Sequence, residues 1–210
     1  MQEEQKTQIA HKTHKTFIIK KIKEVPGLYY IDNVNIDLEK VLIKVDKCEW
    51  KSLSKSSNSR KVQHYGYKYN YRTRNIHEKC EDMPLFLTRI INKLIKICKI
   101  KKLINYDYTF NQCIINNYES KQGISRHIDI KEYGDVIGCY SAGGYGTMIF
   151  KKYDISHKIT VSPGSLYIMT GDSRYKWTHE MPPCVYDIVD GKKIKRNRRV
   201  SLTFRNVPKK

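Results

Sequence analysis

The sequence predicts an α+β chain that is mainly β, with N-terminal helices packed on one sheet of a jelly-roll-like barrel. Three observations predict it. Two early segments carry apolar residues at helical spacing. From Tyr106 onward the chain breaks into short β-prone runs separated by Gly, Pro, Asn and Asp. The length, 210 residues, suits one domain of ordinary size better than two.

Residues 1–25 are polar and mostly basic with no clear period, and they read as a mobile arm ending near Pro26-Gly27. A single domain is expected over 26–210, with helices in 26–105 and the barrel in 106–207. After an extended Leu28-Tyr29-Tyr30-Ile31, the residues Ile36, Val41, Leu42 and Val45 recur at helical spacing, with Asn33 and Asn35 as candidate caps. The Ser/Lys-rich stretch Lys51 to Lys61 reads as a loop. A second helix begins at Asp82 and Pro84; Leu87, Ile90, Ile91, Leu94, Ile95 and Cys98 form one apolar stripe. Lys99, Lys101 and Lys102 then sit where cations favour the C-terminal end of the helix dipole. Strands are expected at Tyr108 to Ile115, Val136 to Tyr140, Thr147 to Phe150, Leu166 to Met169 and Val200 to Phe204.

Lysine and arginine number 40 against 21 acidic residues, a formal net charge of +19. Such a surface attracts polyanions through its field and through counterion release, which makes nucleic acid the leading partner class. The same charge also suits a chain that merely fills its exposed positions with lysine, so it does not specify a fold. The six cysteines form no C-x-x-C pair, and reduced thiols are expected. No apolar run approaches the roughly 18 residues that span a bilayer, and the first residues lack the apolar core of a secretory signal. The expectation is a soluble cytoplasmic or nuclear protein, neither secreted nor bound to membrane.

The most informative tripeptide is His127-Ile128-Asp129. On a strand, residues i and i+2 share a face, so the imidazole and carboxylate would project toward one point. A lone His-x-Asp arises easily by chance, and a core or surface histidine is the bland alternative. Its company strengthens it, because His179 follows downstream after a strand. Two histidines and one carboxylate on one face of a non-haem iron leave positions open for a co-substrate and oxygen. Arg199 and Arg205 then bracket Val-Ser-Leu-Thr-Phe. Their even spacing aims both guanidiniums at one side, and a planar guanidinium can meet the remote carboxylate of a metal-bound dicarboxylate. The bland alternative, a solvated loop entering an edge strand, is assigned to Lys192, Lys193, Lys195, Arg196 and Arg198.

From about Pro26 to Val207 the chain resembles the AlkB family of Fe(II)- and 2-oxoglutarate-dependent nucleic-acid oxygenases. The pieces that carry the resemblance are Pro26-Gly27-Leu28-Tyr29-Tyr30-Ile31, Asn116-Asn117-Tyr118, His127-Ile128-Asp129, the segment Ser173-Arg174 to His179, and Arg199-Val-Ser-Leu-Thr-Phe-Arg205. The resemblance implies a double-stranded β-helix core of the cupin kind, with Fe(II) held by His127, Asp129 and His179. It implies that Arg199 pairs with the remote carboxylate of 2-oxoglutarate, that Asn116 and Tyr118 hydrogen-bond the same co-substrate, and that Arg205 orients Asp129 and completes the catalytic set. It implies a reaction in which O2 and 2-oxoglutarate are consumed, succinate forms, and a carbon of the target base is hydroxylated. A hydroxylated N-methyl group leaves as formaldehyde.

The run Tyr65-Gly66-Tyr67-Lys68-Tyr69-Asn70-Tyr71 places four tyrosines at alternate positions, so as one strand it would show an aromatic face. Such a face either stacks on exposed bases, with Lys68, Arg72 and Arg74 on phosphates, or packs on the core. In the family this region corresponds to the nucleotide-recognition lid. Tyr65, Tyr67, Tyr69, Arg72, Arg174 and Trp177 are accordingly the candidate substrate residues. Gly123-Ile124, the run Met169 to His179, and Val62-Gln63-His64-Tyr65-Gly66-Tyr67 look closer to the tRNA wobble-uridine hydroxylase branch than to the bacterial alkylation-repair enzyme. Glu180 departs from that branch, which often has Gly there. A further departure is that the chain has room for neither the RNA-recognition module nor the methyltransferase domain of animal members; a separate methyltransferase partner and a monomeric state are expected. The leading expectation is hydroxylation of a modified tRNA wobble uridine. Alternatives are oxidative demethylation of N-alkylated bases in DNA or RNA, oxidation of protein or lipid on the same fold, a non-catalytic nucleic-acid-binding module, and a zinc hydrolase. Neither of the last two gives Arg199 and Arg205 a task.

Overall fold

A computed structural model describes residues 18–56 and 59–208. In chain order it runs β1 (Lys20–Ile22), β2 (Leu28–Ile31), α1 (Leu38–Asp46), β3 (Lys51–Ser52), β4 (Lys61–Tyr65), β5 (Tyr67–Asn70), β6 (Asn75–Lys79) and α2 (Leu85–Ile100). There follow β7 (Gln112–Tyr118), β8 (Ile124–His127), β9 (Ile137–Gly143), β10 (Gly146–Lys152), β11 (Ile155–Val161) and β12 (Leu166–Met169). The chain closes with α3 (Gly171–Tyr175), β13 (Thr178–Met181), β14 (Tyr186–Val189), β15 (Lys192–Lys195) and β16 (Arg199–Arg205).

An eight-stranded antiparallel sheet has the order β1-β2-β12-β9-β16-β7-β4-β3, and a four-stranded sheet has the order β11-β10-β13-β8. Strand alternation divides the large sheet into two faces. Ile115, Tyr140, Ala142, Ile168, Val200, Leu202 and Phe204 meet the helices in one core. The alternate residues Tyr118, Ile137, Cys139, Tyr167 and Met169 meet Met148, Phe150, Ile159, Val161 and Met181 of the small sheet in the other. The result is the expected helix layer on a two-sheet barrel. β16, between β9 and β7, is covered on both faces and is buried along its whole length. Its even-numbered residues face the helices, which leaves Arg199, Ser201, Thr203 and Arg205 facing the space between the sheets.

α1 and α2 form where the apolar spacing predicts, whereas α3 has no such spacing behind it. α1 is capped by Asp37, whose carboxylate accepts from the Lys40 amide at 3.1 Å, rather than by Asn33 or Asn35. Asn33 instead accepts from the Asn35 amide at 2.7 Å, in a turn that takes Asn35 to a φ of 53°. α2 buries Leu87, Ile90, Leu94, Ile97 and Cys98, and Leu94 lies so close to β9 that a Cβ on Gly138 would come within 2.5 Å of it.

Several boundary expectations change: the strand expected from Tyr108 to Ile115 runs from Gln112 to Tyr118, and Lys51–Ser52 of the expected loop pairs with β4. Residues 1–17 of the expected arm lie outside the described residues, but Lys20–Ile22 is a strand paired with β2. The division at 105/106 does not separate helices from barrel, since β2 and β4 belong to the large sheet. Tyr65 to Tyr71 is not one strand. Gly66, with φ of 76° and no room for a Cβ against the Asn111 carbonyl, ends β4, and β5 starts a separate hairpin with β6. Arg196 is also not solvated: it is 2% exposed and makes a two-pronged ion pair with Asp187. All six cysteines are free. Among the described residues no helix is long and apolar enough to cross a membrane.

Candidate metal centre

β8 and β13 are neighbours in the small sheet, and their register sets His127 directly opposite His179. The two imidazole centroids are 4.3 Å apart. β8 ends at His127, so Asp129 reaches the same point from the following loop rather than from the strand itself. One ligand atom from each of His127, Asp129 and His179 lies within 4.8 Å of the others.

Each group is fixed from behind. Nδ1 of His127 is 2.8 Å from the Ser125 carbonyl; donation there leaves the other ring nitrogen free as a ligand. The Asp129 carboxylate accepts from Arg205 Nη2 at 3.1 Å through Oδ1. Its loop is held by Arg174, which donates to the backbone carbonyls of Asp129, Ile130, Tyr133 and Gly134. Arg205 also donates to Gln112 Oε1 at 3.3 Å and lies 4.6 Å from the centre of the Tyr133 ring.

Burial alone would raise the Asp129 carboxyl, but Arg205, His179 and His127 outweigh it and hold it well below the usual carboxylate range. Burial also acts against the charge of Arg205, and Asp129 reverses this and pushes it up. His179 is driven down to about 3, first by burial and then by His127. The site therefore presents an anionic carboxylate and a neutral buried imidazole at ordinary pH, the protonation states in which these groups bind a metal.

A second set of groups faces the same interior. Arg199 is 2% exposed; its Nε donates to Ser141 Oγ at 3.0 Å, and its guanidinium lies 5.7 Å from the Tyr118 ring centre. Asn116 and Tyr118 are buried on β7, two residues apart and on one face. Asp129 Oδ2, His179 Nδ1, Arg199 Nη2 and Arg205 Nε are buried without a hydrogen-bond partner. Such orphans are costly, and here their donor set fits a metal cation beside an anion.

The candidate substrate residues separate. Tyr65 is 2% exposed in the helix-side core with its hydroxyl on Gln63, so it packs rather than meeting a base. Arg174 is 1% exposed and wholly engaged with the Asp129 loop, and Trp177 is 3% exposed in the inter-sheet core. Tyr67 and Tyr69 are half-buried on β5, and Arg72 is exposed in the turn that follows. Tyr69 packs edge-on against Tyr71, which in turn meets His64. Sequence reasoning missed Arg60, whose Nε donates to Asn116 Oδ1 at 2.9 Å. It also missed Gln112, although pairing of Gln112 with Arg205 follows from the register of β7 and β16.

Residues 36–205 match the model of a family described as the 2OG-Fe(II) oxygenase superfamily. The chain is 35% identical over 202 residues to uncharacterized protein L905 of Acanthamoeba polyphaga mimivirus, covering 93% of this chain and 91% of that protein. It is 31% identical to the alkylated DNA repair protein ALKBH8 homolog of Arabidopsis thaliana, covering 87% of this chain and 59% of that one. It is 32% identical to the tRNA (carboxymethyluridine(34)-5-O)-methyltransferase alkbh8 of Xenopus tropicalis, covering 87% of this chain but only 32% of that longer protein. Among solved structures it is similar in fold to OsALKBH1, with a TM-score of 0.68 at 15% identity, covering 90% of this chain and 99% of that one.

Proposed function

This chain belongs to the 2OG-Fe(II) oxygenase superfamily, whose members use Fe(II), 2-oxoglutarate and O2, and on that premise we propose that it hydroxylates a nucleic-acid base, a modified wobble uridine of tRNA. The observation that carries the enzyme class is the convergence of His127, Asp129 and His179 with the unpartnered guanidinium nitrogen of Arg199 facing the same interior. A hydrolytic metal site would not need that buried cation. The tRNA reading rests on similarity to the alkbh8 methyltransferase, of which this chain spans about the length of one part.

When bound, Fe(II) with 2-oxoglutarate and O2 supplies oxidation of a C–H bond coupled to decarboxylation of the co-substrate to succinate. The residues of the chain do the remaining work. His127, Asp129 and His179 hold the metal, and Arg205 keeps the Asp129 carboxylate ionised and aimed. Arg199 meets the remote carboxylate of 2-oxoglutarate, with Tyr118 and Asn116 donating beside it. Ser141 holds the Arg199 Nε and Met181 Sδ accepts from Nη1 at 3.6 Å, so Nη2 is the nitrogen left to bind an anion. The β5–β6 hairpin, with Tyr67, Tyr69 and Arg72, is the surface for the target base and its phosphates.

A second reading, oxidative demethylation of N-alkylated bases, is favoured by the repair description of the plant relative. Both readings share the metal chemistry and separate on product. Mass spectrometry of nucleosides from tRNA, other RNA and alkylated DNA incubated with Fe(II), O2 and 2-oxoglutarate tests them. A hydroxylated wobble uridine in tRNA supports the first reading; loss of an N-methyl mark with formaldehyde release, and no change in tRNA, replaces it with the second.

A further inference from the structure

Arg60 lies immediately before β4, and its Nε donates to Asn116 Oδ1 at 2.9 Å. A guanidinium carries donors and no acceptor, so this contact settles which end of the carboxamide faces it. Oδ1 is held toward Arg60, and the two Nδ2 hydrogens point elsewhere. Among the described residues nothing accepts from Nδ2. Asn116 is 7% exposed and shares the inner face of β7 with Tyr118, over which Arg199 lies. Arg60 is itself hemmed in from the hairpin side: the Tyr71 ring centre is 6.0 Å from its guanidinium carbon, and the Tyr71 hydroxyl is 3.3 Å from His64 Nε2.

We propose that Arg60 is a positioning residue that locks the Asn116 amide with its N–H donors presented to the 2-oxoglutarate carboxylate. The inference rests on the co-substrate role given to Asn116 above. Without Arg60 the amide can turn over, and its carbonyl oxygen then faces an anion, a repulsive arrangement in a buried site. Arg60 acts through Asn116, so its contribution disappears once Asn116 is gone.

Calorimetric titration of 2-oxoglutarate without oxygen, with Mn(II) in place of Fe(II), tests this on the wild-type chain, Arg60→Met, Arg60→Lys, Asn116→Ala and the double variant Arg60→Met/Asn116→Ala. The expected result is a loss of about tenfold in affinity for Arg60→Met and for Asn116→Ala, partial recovery in Arg60→Lys, and no further loss in the double variant. Thermal unfolding of each variant identifies one that fails to fold, and Arg60→Lys then carries the comparison against Asn116→Ala. Wild-type affinity in Arg60→Met, or losses that add in the double variant, overturns the proposal. Wild-type affinity in Asn116→Ala is a different failure, because it removes the co-substrate role of Asn116 itself.

Discussion

Arg205 reaches from the large sheet to the loop beside the small one, where its Nη2 lies 3.1 Å from Asp129 Oδ1 with both side chains 8% exposed. The pair ties the two sheets together at the candidate metal site and keeps a carboxylate ionised in an interior that would otherwise protonate it. Truncation of one partner leaves the other as an uncompensated buried charge, which typically costs about 3–5 kcal/mol. Arg205→Met is therefore expected to lower unfolding stability by about that amount in urea, and to weaken metal binding about 10- to 100-fold because Asp129 loses its orientation. Wild-type stability and metal affinity in the variant would contradict this role.

His179 makes stability depend on pH in a predictable direction. Its folded pKa is depressed to about 3, while the unfolded chain protonates near the ordinary value of about 6.5. Between those values the unfolded state binds the extra proton, so the fold loses stability as pH falls, by at most about 1.4 kcal/mol per pH unit from this group. Asp129, also depressed, adds a loss of the same sign at lower pH, below its unfolded value of about 3.9. Denaturant midpoints of chelator-treated protein between pH 7 and pH 5 are expected to fall, and His179→Gln is expected to flatten the slope. An equal slope in the variant would assign the pH dependence elsewhere.

Arg199 offers an unpartnered Nη2 in a buried interior, so its loss is expected to act on co-substrate binding first. Arg199→Ala should raise the KM for 2-oxoglutarate about 10- to 100-fold with a smaller effect on kcat. Arg199→Lys should recover little, because a single ammonium cannot reproduce the planar donors. Steady-state kinetics at varied 2-oxoglutarate concentration reads this split.

The helix layer is set by a close contact between Leu94 and Gly138, where a Cβ would lie 2.5 Å from Leu94 Cδ2. Gly138→Val is expected to destabilise the chain by about 1–3 kcal/mol through overpacking. Leu94→Ala alone should cost about 2–5 kcal/mol through the cavity it opens. Combined, the two changes should cost less than the sum, since the added methyls occupy the space vacated by Leu94. Strict additivity in urea unfolding would show that the two sites do not share this contact.

Much of the fold was legible because one period dominated each segment. Leu87, Ile90, Leu94 and Cys98 mark the buried face of α2, and Leu166 to Met169 is a strand with the expected ends. The even spacing of Arg199 and Arg205 places both on the inner face of β16, as alternation requires. The rest depended on tertiary placement. Asp129 joins His127 and His179 from a loop, so the structure brings it to the cluster by a local geometry other than the i, i+2 alternation of a strand. Tyr65 obeys the same alternation as Tyr67 and Tyr69, yet Gly66 breaks the strand and sends Tyr65 into the core. Arg196, read as part of a solvated loop, and Arg174, read as a substrate residue, are both buried against partners across a hairpin or distant in sequence. Arg60 sits at the end of a Ser/Lys-rich stretch with no motif, and only the pairing of β4 with β7 brings it to Asn116.

Anaerobic titration of Fe(II), followed by measurement of 2-oxoglutarate consumption on admission of air, tests the metal assignment most directly when wild-type chain is set beside His127→Ala and Asp129→Ala. One iron per chain with turnover in the wild type, and loss of both in each variant, is the result expected. Undiminished turnover by a metal-scrubbed His127→Ala protein would contradict it.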